Sequence, residues 1–136
     1  AMRVHYFAFV ELCKHFQSKK ISQDGASIVA ISSISTVTRR VGSVAYSSSK
    51  NALNTAVQIA AKEFVKRGIR VNALLPAYVG TRMIEDTMEL VNIREVQPWG
   101  VIPPEAIADI VGFLLSDESK YVTGALIPMT AGMEAN

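Results

Sequence analysis

Two short runs of apolar residues constrain the fold more than any other feature of this sequence. Residues 28–31 read Ile-Val-Ala-Ile, and residues 69–75 are apolar apart from Arg70 and Asn72. The second run is stopped by Pro76, which cannot donate to a strand ladder. Strands that are apolar on both faces are typical of the interior of a layered α/β domain. A third strand is predicted over 125–129, after Gly124.

Helical patterns lie between these strands. Apolar residues at helical spacing predict a helix over 4–18 that is apolar on more than one side, and a second helix over 46–67 that ends at Gly68. Residues 32–45 have the composition of a loop, residues 82–97 are weakly helical, and a third clear helix begins at Pro104. Strands that alternate with helices predict a parallel sheet with right-handed crossovers. Three strands are fewer than open α/β domains usually have, so we expect part of a larger sheet.

Composition and charge exclude several classes of protein. The 136 residues are 49% hydrophobic, which excludes a disordered tail, and the net charge of +2 gives no reason to expect a nucleic-acid partner. No apolar run approaches the roughly 18–20 residues of a membrane span, so no membrane association is expected. One cysteine, Cys13, and two histidines exclude an intrachain disulfide and a Cys/His zinc cluster. We expect a cytoplasmic protein without a metal.

Three residues form the candidate catalytic group. Tyr46 and Lys50 are four residues apart at the start of a predicted helix and therefore share a face. A lysine ammonium near a phenol favours the phenolate, and a phenol tuned in this way can transfer a proton near neutral pH. Ser33 follows a strand, at the end where open α/β sheets bind ligands, and its hydroxyl could hold a substrate oxygen. The alternative is that Tyr46 and Lys50 are an ordinary solvated pair on a helix.

In this setting the sequence resembles the short-chain dehydrogenase/reductase family, and the resemblance covers nearly the whole chain. The segments that carry it stand in the family's order and spacing. They are Ser27-Ile28-Val29-Ala30-Ile31-Ser32-Ser33, Tyr46-Ser47-Ser48-Ser49-Lys50, Val71-Asn72-Ala73-Leu74-Leu75-Pro76, Thr81-Arg82-Met83, Pro104-Glu105, Phe113-Leu114-Leu115-Ser116-Asp117-Glu118 and Tyr121-Val122-Thr123-Gly124. The 3-oxoacyl-[acyl-carrier-protein] reductase type looks nearest.

The resemblance implies a role for each matching residue. Tyr46 would be the general acid/base, Lys50 would support it and bind the cofactor ribose, and Ser33 would orient the substrate. The cofactor would be NADP or NAD, bound by Tyr46 and Lys50 together with three residues after the second predicted strand: Pro76, Val79 and Thr81. The substrate would be a small-molecule or carrier-bound carbonyl compound. Met83 and Met88 match the region that covers the substrate in the family.

The resemblance also implies the domain organisation. It begins at about the family's fourth long helix, so residues 1–136 would be the C-terminal portion of a Rossmann-like doubly wound domain, three strands with flanking helices. The N-terminal dinucleotide-binding half is expected to be absent, and this chain alone should bind NADP or NAD weakly or not at all. The family's catalytic Asn would lie near residues 2–5, where Arg3 is closest to its place.

Two classes of function follow. The first is an NAD(P)-dependent oxidoreductase, with this chain as part of the working enzyme. The alternative is a truncated, non-catalytic remnant of the family that acts as an assembly or interaction module. The sequence encoded upstream discriminates between them, since a Gly-rich strand–turn–helix there would support the enzyme.

We also expect a homo-oligomer, a dimer or tetramer, formed through helices 4–18 and 46–67. The small residues Ser47, Ser49 and Ala52 would permit close helix contact, and the outer edge of strand 27–32 would be unpaired.

Three remaining residues have structural interpretations. Trp99 is predicted to be a loop anchor packed on the core, His5 a surface or interface residue, and Cys13 a small core residue.

Overall fold

A computed structural model describes residues 1–82, 84 and 92–134, and in it three strands form one parallel sheet. They are β1 (Ser27–Ile31), β2 (Arg70–Pro76) and β3 (Leu126–Met129), in the order β1-β2-β3. Ser27 lies opposite Arg70 in the first pairing, and Ala73 lies opposite Leu126 in the second. The predicted parallel α/β sheet is therefore confirmed. The expectation for Met83 and Met88 concerns residues outside the described ones.

The helices also follow the predicted order. A π-helical turn, Arg3–Phe7, leads into α1 (Ala8–Phe16), and α3 (Val44–Glu63) is followed by a 3₁₀ turn and by Gly68 with a φ of 62°. Beyond these lie α4 (Ile93–Val96) and α5 (Pro104–Leu115). The segment predicted as a loop, 32–45, contains one short helix, α2 (Ser35–Thr38). Within the described ranges, no helix combines the length and the apolar character needed to cross a membrane.

The core lies between the sheet and the pair α1 and α3. Every residue of β2 is buried, and Val71, Ala73 and Leu75, which alternate along it, share one cluster with Phe9 of α1 and Val57 of α3. The central strand therefore fits the prediction of burial on both faces.

The prediction of full burial was wrong for β1. Only Ala30 of β1 is buried, and Ile31, the last residue of the strand, is 44% exposed. The reason is position: among the described residues β1 lies at the edge of the sheet, with β2 as its single strand neighbour, and its end opens into a cleft.

Buried polar side chains tie β2 to the segments around it. Asn72, which is fully buried, donates to the Val122 carbonyl at 2.9 Å and accepts from the Ala125 backbone N–H at 2.9 Å. Arg70 donates to the carbonyl oxygens of Leu114, at 2.8 Å, and Ser116, at 2.9 Å. These bonds explain why two polar residues interrupt an apolar strand: they fix the start of β3 and the end of α5.

Two expectations about surface residues were wrong. Trp99 is 82% exposed and does not pack on the core, because the bond that fixes this loop is made by the backbone, from the Trp99 N–H to the Ala131 carbonyl at 3.0 Å. Ser47 and Ser49 are buried within the chain, with contacts to Ser43 and His5 respectively. They therefore serve packing inside the chain and offer no surface to a second copy.

Candidate active site

A cleft of about 420 Å³ opens at the carboxyl ends of β1 and β2. This is the edge of a parallel sheet at which open α/β domains bind their ligands. One side of the cleft is formed by the segment after β1 and the start of α3, and the other by the segment after β2. The residues predicted for catalysis and cofactor binding all line it: Ser33, Tyr46, Lys50, Pro76, Val79 and Thr81.

The start of α3 brings Tyr46 and Lys50 to the same side of the cleft. The Lys50 Nζ lies 6.0 Å from the centroid of the Tyr46 ring and donates a hydrogen bond to the Ile31 carbonyl at 2.8 Å. Lys50 is 9% exposed, whereas Tyr46 is 40% exposed. Burial lowers the pKa of Lys50 from its ordinary value. The lysine is thus anchored to the end of β1, beside a phenol that is open to the cleft.

The segment after β1 orients Ser33. Its Oγ accepts a hydrogen bond from the Ser35 backbone N–H at 3.1 Å, and its carbonyl accepts one from the Thr36 hydroxyl at 2.9 Å. Because the Ser33 hydroxyl accepts from the backbone, its own proton remains available to donate. Ser35 also lines the cleft, and its Oγ is buried with no hydrogen-bond partner among the described residues. Such a group can bind a polar atom of a ligand.

The opposite wall is held by backbone pairing and by one buried amide. Val79 pairs with Ile102, whose N–H donates to the Tyr78 carbonyl at 2.9 Å. Gln97, which is fully buried, accepts from the Tyr78 N–H at 2.9 Å and donates to the carbonyl oxygens of Tyr78 and Gly100 at 3.0 and 2.7 Å. The wall that carries Val79 and Thr81 is therefore rigidly attached to the segment before α5.

Arg40 brings a positive charge to the cleft and was not among the predicted site residues. Its guanidinium lies 5.2 Å from the centroid of the Tyr78 ring and donates to the Tyr78 hydroxyl. The sequence signal that could have found it is its place in the loop between Ser33 and Tyr46.

His5 is the second residue that sequence reasoning missed. Its ring lies edge-to-face with that of Tyr46, with 5.4 Å between centroids and 89° between planes, and its Nδ1 lies 2.8 Å from the Ser49 Oγ. Burial, the charge of Lys50 and that of the chain's amino group lower the pKa of His5. His5 is partly exposed, as expected for a surface residue, but its contact with Tyr46 and Ser49 was not predicted. A signal was present, because His5 precedes Phe9 and Cys13 at steps of four, so the three share the buried side of the helix.

The chain is similar to known proteins over most of its length. Residues 1–134 match the family model described as Enoyl-(Acyl carrier protein) reductase. The chain is 38% identical over 110 residues to the (3R)-3-hydroxyacyl-CoA dehydrogenase of Homo sapiens, covering 79% of this chain and 42% of that protein. It is 34% identical over 134 residues to carbonyl reductase family member 4 of Xenopus laevis, covering 98% of this chain and 56% of that protein.

A solved structure is similar over nearly the same length. The angucycline C-6 ketoreductase LanV with bound NADP superposes with a TM-score of 0.86 at 27% identity, covering 96% of this chain and 51% of that one. The chain thus spans about half the length of most of these proteins.

Proposed function

This chain belongs to the short-chain dehydrogenase/reductase family, and on that premise we propose that it supplies the catalytic half of an NAD(P)-dependent oxidoreductase that interconverts a carbonyl and an alcohol. The observation that carries the proposal is the cleft, in which a half-exposed phenol, a buried ammonium and an oriented hydroxyl meet. The proposal includes the domain organisation, with residues 1–136 as the C-terminal portion of one Rossmann-like domain.

Tyr46 is the general acid and base of the proposed reaction. Its phenol donates a proton to the substrate oxygen during reduction and accepts the proton during oxidation. Lys50 supports this role because its ammonium, 6.0 Å from the ring centroid, stabilises negative charge on the phenolate. The bond to the Ile31 carbonyl keeps the ammonium from rotating away. Ser33 donates to the substrate oxygen and holds it near the phenol.

The residues of the cleft fit the nicotinamide end of the cofactor. In the proposal Lys50 binds the ribose hydroxyls, Pro76 and Val79 supply apolar contact, and Thr81 a hydroxyl. The Ser35 Oγ, buried and without a hydrogen-bond partner among the described residues, is a further polar atom on this side of the cleft. When bound, the nicotinamide supplies or accepts the hydride, and the protein contributes position and charge.

The proposed substrates are 3-oxoacyl thioesters, carried by coenzyme A or by an acyl carrier protein. The names of the relatives support this class, since one is a 3-hydroxyacyl-CoA dehydrogenase, although the matching family model is described as an enoyl reductase. A carbonyl substrate needs a proton donor at oxygen, which Tyr46 and Ser33 provide in this cleft.

Oxidation of NADPH and NADH by the full-length protein, or by this chain reconstituted with the family's Gly-rich half, tests the proposal. A 3-oxoacyl thioester, the matching trans-2-enoyl thioester and an unrelated ketone are compared. Turnover of the 3-oxoacyl compound above both others supports it. Turnover of the enoyl compound alone would overturn the substrate class, and no turnover of any carbonyl compound would favour the non-catalytic alternative.

The proposal also includes a cytoplasmic homo-oligomer. Apolar side chains on the outer side of the first helix are exposed: Val4 by 75%, Phe7 by 54% and Leu12 by 57%. On and just after α3, Ile59 and Val65 are exposed by 51% and 61%. Exposed apolar groups on two neighbouring helices are typical of a surface that a second copy covers.

A further inference from the structure

His5 contacts the proposed catalytic helix at the turn that carries Tyr46. Its Nδ1 lies 2.8 Å from the Ser49 Oγ, and the Ser49 Oγ lies 2.7 Å from the Tyr46 carbonyl oxygen. The three groups form a chain from the first helix, through a serine that is fully buried, to the backbone of the tyrosine. The His5 ring then touches the other end of the same residue, edge-to-face with the phenol ring.

The hydrogen-bond chain determines which nitrogen of His5 carries the proton. The Tyr46 carbonyl can only accept, so the 2.7 Å contact requires the single proton of the Ser49 hydroxyl. The Ser49 oxygen must then accept from His5, and this makes the Nδ1 of His5 a donor. The neutral imidazole is therefore the Nδ1–H tautomer, with Nε2 as a free acceptor. No described residue supplies a hydrogen bond to Nε2.

The backbone around His5 is unusual as well. His5 lies in the π-helical turn Arg3–Phe7, and π-helical turns are rare and occur frequently at functional sites. In the same turn, Val4 and Phe7 are exposed, whereas His5 is half-buried against α3. Burial and the positive charge of the Lys50 ammonium both favour the neutral ring.

We propose that His5 is a positioning residue for Tyr46: as its Nδ1–H tautomer it fastens α3 through Ser49 and sets the orientation of the phenol through ring contact. Ser49 is fully buried, so no water can replace the imidazole as the hydrogen-bond donor to its hydroxyl oxygen. The role in catalysis rests on the proposed function of Tyr46, whereas the tautomer and the contact do not.

The tautomer is tested by NMR on the folded chain, labelled with ¹⁵N, at pH 8. The chain has two imidazoles, and His15, which is exposed on the same helix, provides the internal comparison. We expect the two-bond ¹H–¹⁵N correlations of His5 to show protonated Nδ1. Ser49→Ala should lower the ratio of Nδ1–H to Nε2–H by about fivefold, the effect of one ordinary hydrogen bond. Ser48→Ala, which removes an exposed hydroxyl from the neighbouring position, should leave the ratio unchanged.

Two results would overturn the proposal: an Nε2–H tautomer in the parent, or a ratio that responds equally to both serine variants. The parent measurement needs no variant to fold. In the reconstituted enzyme, His5→Phe, which keeps a ring but loses the donor, should lower kcat about tenfold with little change in KM, and His5→Asn, which keeps an N–H, should recover part of the loss. Equal kcat for His5→Phe and a His15→Phe control would refute the positioning role. If the tautomer is confirmed but Tyr46→Phe retains full turnover, the proposed function fails and the contact stands.

Discussion

Replacing Gln97 by leucine should both destabilise the chain and loosen one wall of the cleft. Gln97 is fully buried and makes three hydrogen bonds to the backbone of Tyr78 and Gly100. Leucine fills a similar volume but makes none of them. The Tyr78 carbonyl keeps its bond from the Ile102 N–H, so two backbone groups lose their partner, the Tyr78 N–H and the Gly100 carbonyl. Each costs about 1–3 kcal/mol.

Because a buried leucine recovers part of this loss, we expect the free energy of unfolding to fall by about 3 kcal/mol, or Tm by about 10 °C. Urea denaturation followed by circular dichroism measures it. Gln58→Leu is the matched control, since Gln58 is exposed on α3 and leucine has a similar helix propensity. If the two variants lie within about 0.5 kcal/mol of each other, the hydrogen bonds of Gln97 do not hold the segment that carries Val79, and our account of this wall is refuted.

Three further predictions concern other groups. Burial, with the charge of Glu63, raises the pKa of Cys13 to about 11 from an ordinary 9.0. Iodoacetamide at pH 8 should therefore alkylate the folded chain about 100-fold more slowly than the urea-unfolded chain. Equal rates would show that Cys13 is accessible. Burial lowers the pKa of Lys50 from its ordinary 10.5, so as the pH approaches that value the unfolded chain holds more protons than the folded chain. The free energy of unfolding of the parent, relative to that of Lys50→Met, should therefore rise as the pH increases toward 10.5. A difference that does not change with pH would contradict this. Sedimentation should give a dimer or larger species, and Phe7→Glu, on the first helix, should dissociate it. The control Tyr121→Glu, at a residue that is 90% exposed after α5, should not. A species unchanged by Phe7→Glu would exclude the first helix from the interface.

The fold could be predicted from the sequence because its signals are local. Short runs of mostly apolar residues located β1 and β2, and Gly68 and Pro104 located the end and the start of helices. Burial was harder to predict, because it depends on neighbours: Ile31 is apolar yet 44% exposed, and Trp99 is held by its backbone alone. Arg70 and Asn72 look like defects in an apolar strand until their carbonyl partners, about 50 residues away, are known.

Most of the candidate site could also be predicted, because strand ends and helical spacing determine where its residues lie. Ser33 follows β1, Pro76 ends β2, and Tyr46 and Lys50 are one helical turn apart, so sheet topology brings them to one cleft. His5 and Gln97 were missed because their roles come from tertiary contacts across 41 and 19 residues, to Tyr46 and Tyr78. The small serines near Tyr46 were predicted to contact a second copy, whereas Ser49 contacts His5 in the first helix of the same chain.

The proton transfer assigned to Tyr46 is tested most directly by Tyr46→Phe in the full-length or reconstituted enzyme. The variant removes one hydroxyl and keeps the ring that packs on His5, so circular dichroism and Tm should match the parent. Turnover of the carbonyl substrate, followed by NAD(P)H absorbance, should fall by about 10²–10⁴-fold. Tyr6→Phe, on the first helix, is the control and should retain parental turnover. A Tyr46→Phe enzyme that works within a factor of a few of the parent would contradict the assignment of this cleft as an active site.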